Sequence, residues 1–394
     1  MRRIDLKKAQ AARASTIRDI NRQIVLNYVR EREPISRAQI ARETDLQRST
    51  VSTIVEELKA EGLIEEIGAG ASTGGRRPTL LRLRADGAFA IGVDITPSCT
   101  TIAISDLAGR LLEREAFAHR PRREEMVERV IATVQRFAAS YDQEKVAGIG
   151  VSLPGLVDPV TGRAIYIPWF DWRDWAVVEE IGAATGFDVM VDNDANAAAL
   201  AALWFGRPEL TEARDFIMVL VAEGIGTGII FDGQIYRGER GAAGEFGHMI
   251  VGERALIECS CGNYECWEAF SSERAAIAHY LRLTGTTDDP IKFPELIDRA
   301  LAGEQPAVEA LAATAHYLGI GISNLIVGLS PETVVVGGRI ARAWPLIGET
   351  ISQSIQRSIR RGISSARILP LFLGDQPTLL GAITLVLSRK FGQA

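Results

Sequence analysis

Gly241–Glu268, GAAGEFGHMIVGERALIECSCGNYECWE, is the stretch from which the rest of the chain can be read. It holds Cys259, Cys261 and Cys266, three of the four cysteines, and His248, one of four histidines. Thiolates and a neutral imidazole are preferred zinc ligands. One His with three Cys fills a closed tetrahedral shell and leaves no position for an activated water. The spacing suits a tight knuckle in which Gly262 supplies the unusual backbone angle. Three buried free thiols are the alternative, and ligand spacing of this kind favours the metal. The expected cofactor is therefore one structural zinc per chain. Glu245 and Glu268 bracket the cluster, and a zinc that fixed Glu245, His248 and Glu268 would pre-organise polar groups for a ligand.

A chain of 394 residues should form two or three domains. Hydrophobic residues at 47% and charged residues at 24% read as a soluble globular protein with ample core. No apolar run reaches the roughly 18 residues that a membrane span needs, and the basic start lacks the apolar stretch of a secretory signal. Cysteines spent mainly on metal point to a reducing cytoplasm, with Cys99 left as an ordinary thiol. Charge is unevenly placed. Residues 1–84 carry 17 Lys+Arg and 11 Asp+Glu, a balance of +6, whereas the remainder carries 27 and 39, a balance of −12. A basic segment on an acidic body points to a polyanionic partner for the segment.

Ile17, Ile20, Ile24, Val25, Tyr28 and Val29 recur with a helical period over residues 15–32, and Pro34 ends the pattern. Ser36 is a natural N-cap for a short helix ending near Asp45. Leu46 fills the turn, and a third helix runs from about Ser49 to Lys59 with Val51, Ile54, Val55 and Leu58 inward. Two short helices about a tight turn make a helix-turn-helix. The second would offer Gln47, Arg48, Ser49, Thr50, Ser52 and Thr53 to base edges. Gly62 stops that helix. Leu63–Ile67 and Leu80–Arg84 could then pair around GAGASTGGRRP, a wing whose Arg76 and Arg77 suit a narrow minor groove. A three-helix protein-interaction module is the alternative; charge, helix spacing and wing together favour double-stranded DNA.

The pattern E-x-G-H followed by C-x-C-G-x-x-x-C-x-E resembles the signature of the ROK family, which groups bacterial sugar kinases with sugar-responsive transcriptional repressors. Glu265 stands where that family usually has Gly. The N-terminal segment resembles the winged helix of the family's repressors, which its simple kinases generally lack. Over about residues 88–390 the resemblance implies an α/β, two-lobed, actin-like (ribonuclease H-like) sugar-kinase fold. The expected boundaries are 1–84 for the winged helix-turn-helix and 85–198 for the first lobe, completed by 375–394. The second lobe, 199–374, would carry the zinc site and a dimerisation surface. Alternating signals agree with α/β order: paired strands from Phe89, a helix over Glu124–Tyr141, the strand Val146–Leu153 and a last helix Thr378–Lys390 packing on the first lobe.

Kinases of this fold have D-x-G-x-T in the first hairpin. Here Asp94 is followed by Ile95, Thr96, Pro97 and Ser98, and proline and side chains replace the glycine that would let backbone approach a phosphate. ATP is therefore not expected. Gly224, Gly226 and Gly228 keep the second loop, and Gly337 and Gly338 the adenosine-side turn, although close packing explains them equally. Asp192, Asn193, Asp194 and Asn196 stand at a strand end before an Ala-rich helix, as a polyhydroxylated ligand would require. Helix capping needs only one such residue. The resemblance makes Asn193, Asp194, Glu245, His248 and Glu268 the sugar ligands, beside the Pro154–Gly155 loop. Of Trp169, Trp172 and Trp175, one could wall the pocket, or all could be hinge core. The expected protein is a sugar-responsive repressor, not an enzyme, acting as a homodimer or tetramer without a membrane. A sugar kinase with Asp194 as general base is the alternative.

Overall fold

The computed structural model describes residues 14–70, 77–119, 122–206, 210, 215–285, 291–358 and 366–391. Helices α1 (Ala14–Arg32), α2 (Arg37–Thr44) and α3 (Arg48–Ala60) close over Val25, Leu26, Val29, Ile40, Val51, Ile54, Val55 and Leu58. Beside them β1 (Ile35–Ser36), β2 (Ile64–Ala69) and β3 (Thr79–Leu83) form a sheet in the order β1-β3-β2. Ser36 caps α2 through a reciprocal box: its Oγ accepts from the Gln39 amide, and Gln39 Oε1 accepts from the Ser36 amide at 3.0 Å. Such a box stabilises a helix start by about 1 kcal/mol. Asp45 then takes the left-handed conformation, φ 57°, that turns the chain into α3. Strand β1 has no counterpart in the sequence reading, because two residues carry no alternation. Arg76, at the expected wing tip, lies outside the described residues.

The first lobe begins with an antiparallel meander, β4 (Phe89–Ile95), β5 (Cys99–Asp106) and β6 (Leu111–Ala118). Helix α4 (Arg123–Ala139) leads to β7 (Val146–Leu153), which pairs parallel with β4. A small antiparallel sheet, β8 (Leu156–Asp158), β9 (Arg163–Ile167) and β10 (Trp172–Trp175), then precedes α5 (Val177–Thr185) and β11 (Val189–Asn193). The main sheet runs β11-β7-β4-β5-β6. Helix α6 (Asp194–Phe205) leaves the end of β11 towards the second lobe.

That lobe contains β12 (Phe216–Val221), β13 (Ile225–Phe231), β14 (Gln234–Ile235), α7 (Trp267–Ser271), α8 (Glu273–Thr284), α9 (Phe293–Leu301) and α10 (Gln305–Leu329). It is completed by β15 (Thr333–Gly337), α11 (Trp344–Ser358) and β16 (Arg367–Leu371), with sheet order β14-β13-β12-β15-β16. Helix α10 is apolar over much of its 25 residues because it is the middle of this lobe's core: Leu311, Leu318, Ile322 and Leu325 are fully buried. The last helix, α12 (Pro377–Phe391), returns to the first lobe. Gly150 in β7 permits this, since a Cβ there would stand 1.8 Å from the Ala382 carbonyl oxygen.

The winged helix is docked on the body through α1. Asn27 Nδ2 donates to the Phe391 carbonyl at 3.1 Å, and the Arg30 guanidinium lies 3.8 Å from the centre of the Trp204 ring. Burial there pulls Arg30 below the usual guanidinium range. Trp204 belongs to the last turn of α6, whose first residue, Asp194, faces the cleft between the lobes. One helix of 12 residues, about 18 Å long, therefore joins the cleft to the winged helix.

Candidate functional site

The lobes enclose a cleft of about 410 Å³. At its floor Asp194 opens α6, with Oδ1 accepting from the Ala195 amide at 2.8 Å. Burial, and next the neighbouring Asp94, push its carboxyl up to about 7. Asp94, at the end of β4, is 1% exposed; Oδ2 accepts from Thr378 Oγ1 at 2.7 Å while Oδ1 has no described protein partner. Burial holds that carboxyl at about 6.

The four polar residues expected to converge on a ligand divide their work. Asp192 is fully buried and accepts from Arg237 Nε at 2.9 Å and from Asn196 Nδ2 at 3.0 Å, locking the start of α6 to the second lobe. Asn193 is the N-cap: its Oδ1 accepts from the amides of Ala195 and Asn196 at 2.9 and 3.3 Å, and Nδ2 donates to the Gly155 carbonyl at 3.0 Å. Counting polar residues thus overstated the ligand set. Asp194 Oδ2 and one amide hydrogen of Asn193 remain for a ligand.

On the opposite wall Gly244, φ 91°, starts the short turn Glu245–His248. His248 presents its two ring nitrogens to different neighbours: Nε2 is 3.5 Å from Glu245 Oε2, and Nδ1 is 3.3 Å from Cys259 Sγ. One imidazole is therefore placed to serve both a metal and the cleft. Burial raises the Glu245 carboxyl above its usual range. Glu268 is less free than its expected role requires. It is 4% exposed; Oε1 accepts from the Ser260 amide at 2.9 Å and from Cys259 Sγ at 3.3 Å, and Oε2 accepts from the Ile225 amide at 3.3 Å. It ties the cysteine knuckle to β13 and lines the cleft.

The ligand atoms of His248, Cys259, Cys261 and Cys266 lie within 4.8 Å of one another, and the Cys261 and Cys266 sulfurs are 3.5 Å apart. Ligand sulfurs on a tetrahedral zinc with bonds near 2.3 Å stand about 3.8 Å apart, so the group fits a closed structural zinc. Gly262 turns the knuckle at φ 92°; Glu265 has no positive φ and is exposed, so the departure from the family pattern leaves the turn intact. Burial and the Glu268 carboxylate raise the Cys259 thiol, a penalty that a central cation reverses.

The tryptophans separate. Trp169 lines the cleft with the Arg274 guanidinium 4.7 Å from its ring, whereas Trp175 is 2% exposed in the first-lobe core and meets Trp172 edge-on at 5.8 Å. At the opposite end Pro97 lines the cleft, and Ser98 Oγ donates to Glu223 Oε1 at 2.9 Å, bridging the two lobes. The second-loop glycines have a packing reason: a Cβ on Gly228 would lie 2.5 Å from the Ala195 carbonyl oxygen, so β13 can seat against α6 only without one. Sequence reasoning passed over Glu223; a carboxylate inside the glycine loop AEGIG was the available signal.

On the winged helix Gln47, Arg48, Ser49, Ser52 and Thr53 are exposed, Thr50 is half-buried and Arg77 is exposed at the base of the wing. Arg18–Glu57 and Arg22–Glu61 pairs hold α1 to α3, leaving that face outward.

The ROK family profile matches residues 90–389, and a MarR family profile matches residues 24–77. A putative xylose repressor of Caldicellulosiruptor sp. (strain Rt8B.4) is 31% identical over 387 residues, covering 94% of this chain and 96% of that protein. The crystal structure of a ROK family transcriptional regulator, a homolog of the E. coli MLC protein, superposes with a TM-score of 0.78 at 26% identity, covering 94% of this chain and 96% of that one. A ROK family glucokinase from Streptomyces griseus in complex with glucose and AMPPNP reaches 0.67 at 30% identity, covering 76% of this chain and 99% of the enzyme. The kinase matches the body alone, whereas the repressor and the regulator span the winged helix as well. The chain belongs to the ROK family, and it has the winged-helix architecture of that family's transcriptional regulators.

Proposed function

We propose that the protein is a cytoplasmic, zinc-containing repressor of carbohydrate-utilisation genes whose cleft binds a small sugar. The observation that carries this reading is α6, which begins at Asp194 in the cleft and in its last turn places Trp204 beneath Arg30 of the winged helix. Sugar hydroxyls meet Asp194, Glu245 and His248, with Trp169 along one side and Asn193 and Glu268 contributing what their structural bonds leave over. Cys259, Cys261, Cys266 and His248 hold the zinc, which fixes the His248 tautomer so that Nε2 carries a proton into the cleft. Lobe closure on the sugar tilts α6, moves Trp204 and re-spaces two winged helices in a dimer or tetramer, drawing the population from the operator-bound state.

A kinase reading is favoured by one observation, Asp194 standing where a general base would. Against it stand Pro97 and the Ser98–Glu223 hydrogen bond, which put side chains and a negative charge in the two loops that would have to receive phosphates. Titration with glucose, xylose and N-acetylglucosamine, with and without Mg-ATP, separates the two. Sugar binding that weakens operator binding and releases no ADP is the expected result; ADP release dependent on Asp194 would restore the kinase.

Arg48→Ala is expected to lower operator affinity about tenfold and to reduce the slope of log affinity against log salt by about one, if that guanidinium meets a phosphate or a guanine. Fluorescence anisotropy at several KCl concentrations reads both quantities. Unchanged affinity would remove α3 from the DNA interface.

A further inference from the structure

We infer that the cleft admits only uncharged sugars and that Glu223 is the residue that turns phosphorylated ones away. This rests on the cleft being the effector site. The lining contains four carboxylates, Asp194, Glu223, Glu245 and Glu268, and no Lys or Arg among the described residues. The Arg274 guanidinium, which lies 4.7 Å from the Trp169 ring, spends its donors on the protein: Nε donates to the Glu223 carbonyl at 3.2 Å, Nη2 donates to the Glu258 carbonyl at 2.8 Å, and the group stands 4.0 Å from Glu268 Oε1. Arg339 is likewise taken by Glu273 at 3.2 Å.

Position adds to composition. The hydroxyl that meets Asp194 sits in the field of Asp94, Glu245 and Glu223, each of which raises the Asp194 carboxyl. A phosphoryl group on that hydroxyl would bring two negative charges among four carboxyl groups, Asp94, Asp194, Glu223 and Glu245, in a partly desolvated site. Ser98 Oγ, from the other lobe, also donates to Glu223 at 2.9 Å. Glu223 cannot swing away to admit an anion without undoing the contact that bridges the lobes. A neutral sugar has no such conflict, since its hydroxyls donate to the carboxylates. Glu223 thus acts as a charge filter on the side of the cleft where a kinase would receive phosphate.

The test is calorimetry on the zinc-loaded full chain with glucose and N-acetylglucosamine, each against its 6-phosphate, and with xylose against xylose 1-phosphate, since xylopyranose has no terminal hydroxyl to esterify. The expected result is that at least one neutral sugar binds and that its phosphate ester binds on the order of 100-fold more weakly. Glu223→Gln should shrink that ratio by roughly tenfold, while Glu223→Asp, which keeps the charge, should preserve it. A phosphate ester that binds as tightly as its parent sugar overturns the inference and leaves the effector cleft standing. An unchanged ratio in a folded Glu223→Gln protein removes Glu223 from the role. If neither class binds, the cleft is not the effector site and the inference falls with that reading.

Discussion

Asp194→Asn should silence the response to sugar and at the same time make the free protein harder to melt above pH 7. The carboxyl has an ordinary value of 3.8 and is pushed up to about 7 in the fold, chiefly by burial. Between those values the folded protein holds a proton that the unfolded chain releases, so wild-type stability falls as pH rises from about 4 to about 7. Asparagine cannot ionise and escapes that loss. The difference at pH 8 is on the order of 2–4 kcal/mol in favour of the variant, and it vanishes below about pH 4. Function moves the other way, because the amide presents two donors or a single acceptor where a sugar hydroxyl needs a carboxylate. Thermal melts at pH 5 and pH 8, paired with sugar titration, test both halves. A variant that melts below the wild type at pH 8, or that still responds to sugar, contradicts the account of this residue.

Removal of the proposed zinc should have a comparably large effect, confined to the body. The knuckle closes through three sulfurs and one imidazole, and Glu268 joins it to β13 through the Ser260 and Ile225 amides. Without a cation, Cys259 reverts to a neutral thiol beside a buried carboxylate, and the turn that presents Glu245 and His248 loses its anchor. Chelation, or Cys266→Ser, should cost several kcal/mol of stability, less than the roughly 10–16 kcal/mol that zinc supplies to isolated fingers, because the surrounding lobe has its own core. Sugar affinity should fall at least tenfold, while operator binding, which depends on α2 and α3 rather than on the knuckle, should survive. The checks are zinc content by elemental analysis, melting temperature and operator binding of the same chelated sample. Unaltered melting and sugar affinity after complete zinc loss would show that the knuckle is held by packing alone.

Much of this molecule is legible in its sequence. Ser36, Pro34 and Gly62 punctuate the helix-turn-helix because caps and breakers act through a few neighbouring atoms. The Cys and His spacing pointed to one cluster, and the structure brings the ligand atoms of His248, Cys259, Cys261 and Cys266 within 4.8 Å of one another. The ligand shell was less so. Asn193 and Asp194 are adjacent and alike on paper, yet one spends its side chain capping α6 and the other faces the cleft. Glu268 looks like a free ligand until the Ser260 and Ile225 amides are seen to occupy it. Hydrogen-bond allegiances of that kind depend on where distant segments arrive. Glu223 shows the same limit, since its meaning comes from Ser98, 125 residues earlier and on the other lobe.

Helix α6 has a consequence for which changes of length the protein can accept. Both of its ends are spoken for, the first by the cleft and the last by Arg30 on the winged helix. Adding one residue between Asp194 and Trp204 would carry the indole about 1.5 Å further on and swing it about 100° around the axis, off the guanidinium that now covers it. A helix in this position is keyed by its rotational phase as well as by its packing. Sensor and reader can each vary their surfaces, but the shaft between them has one working angle.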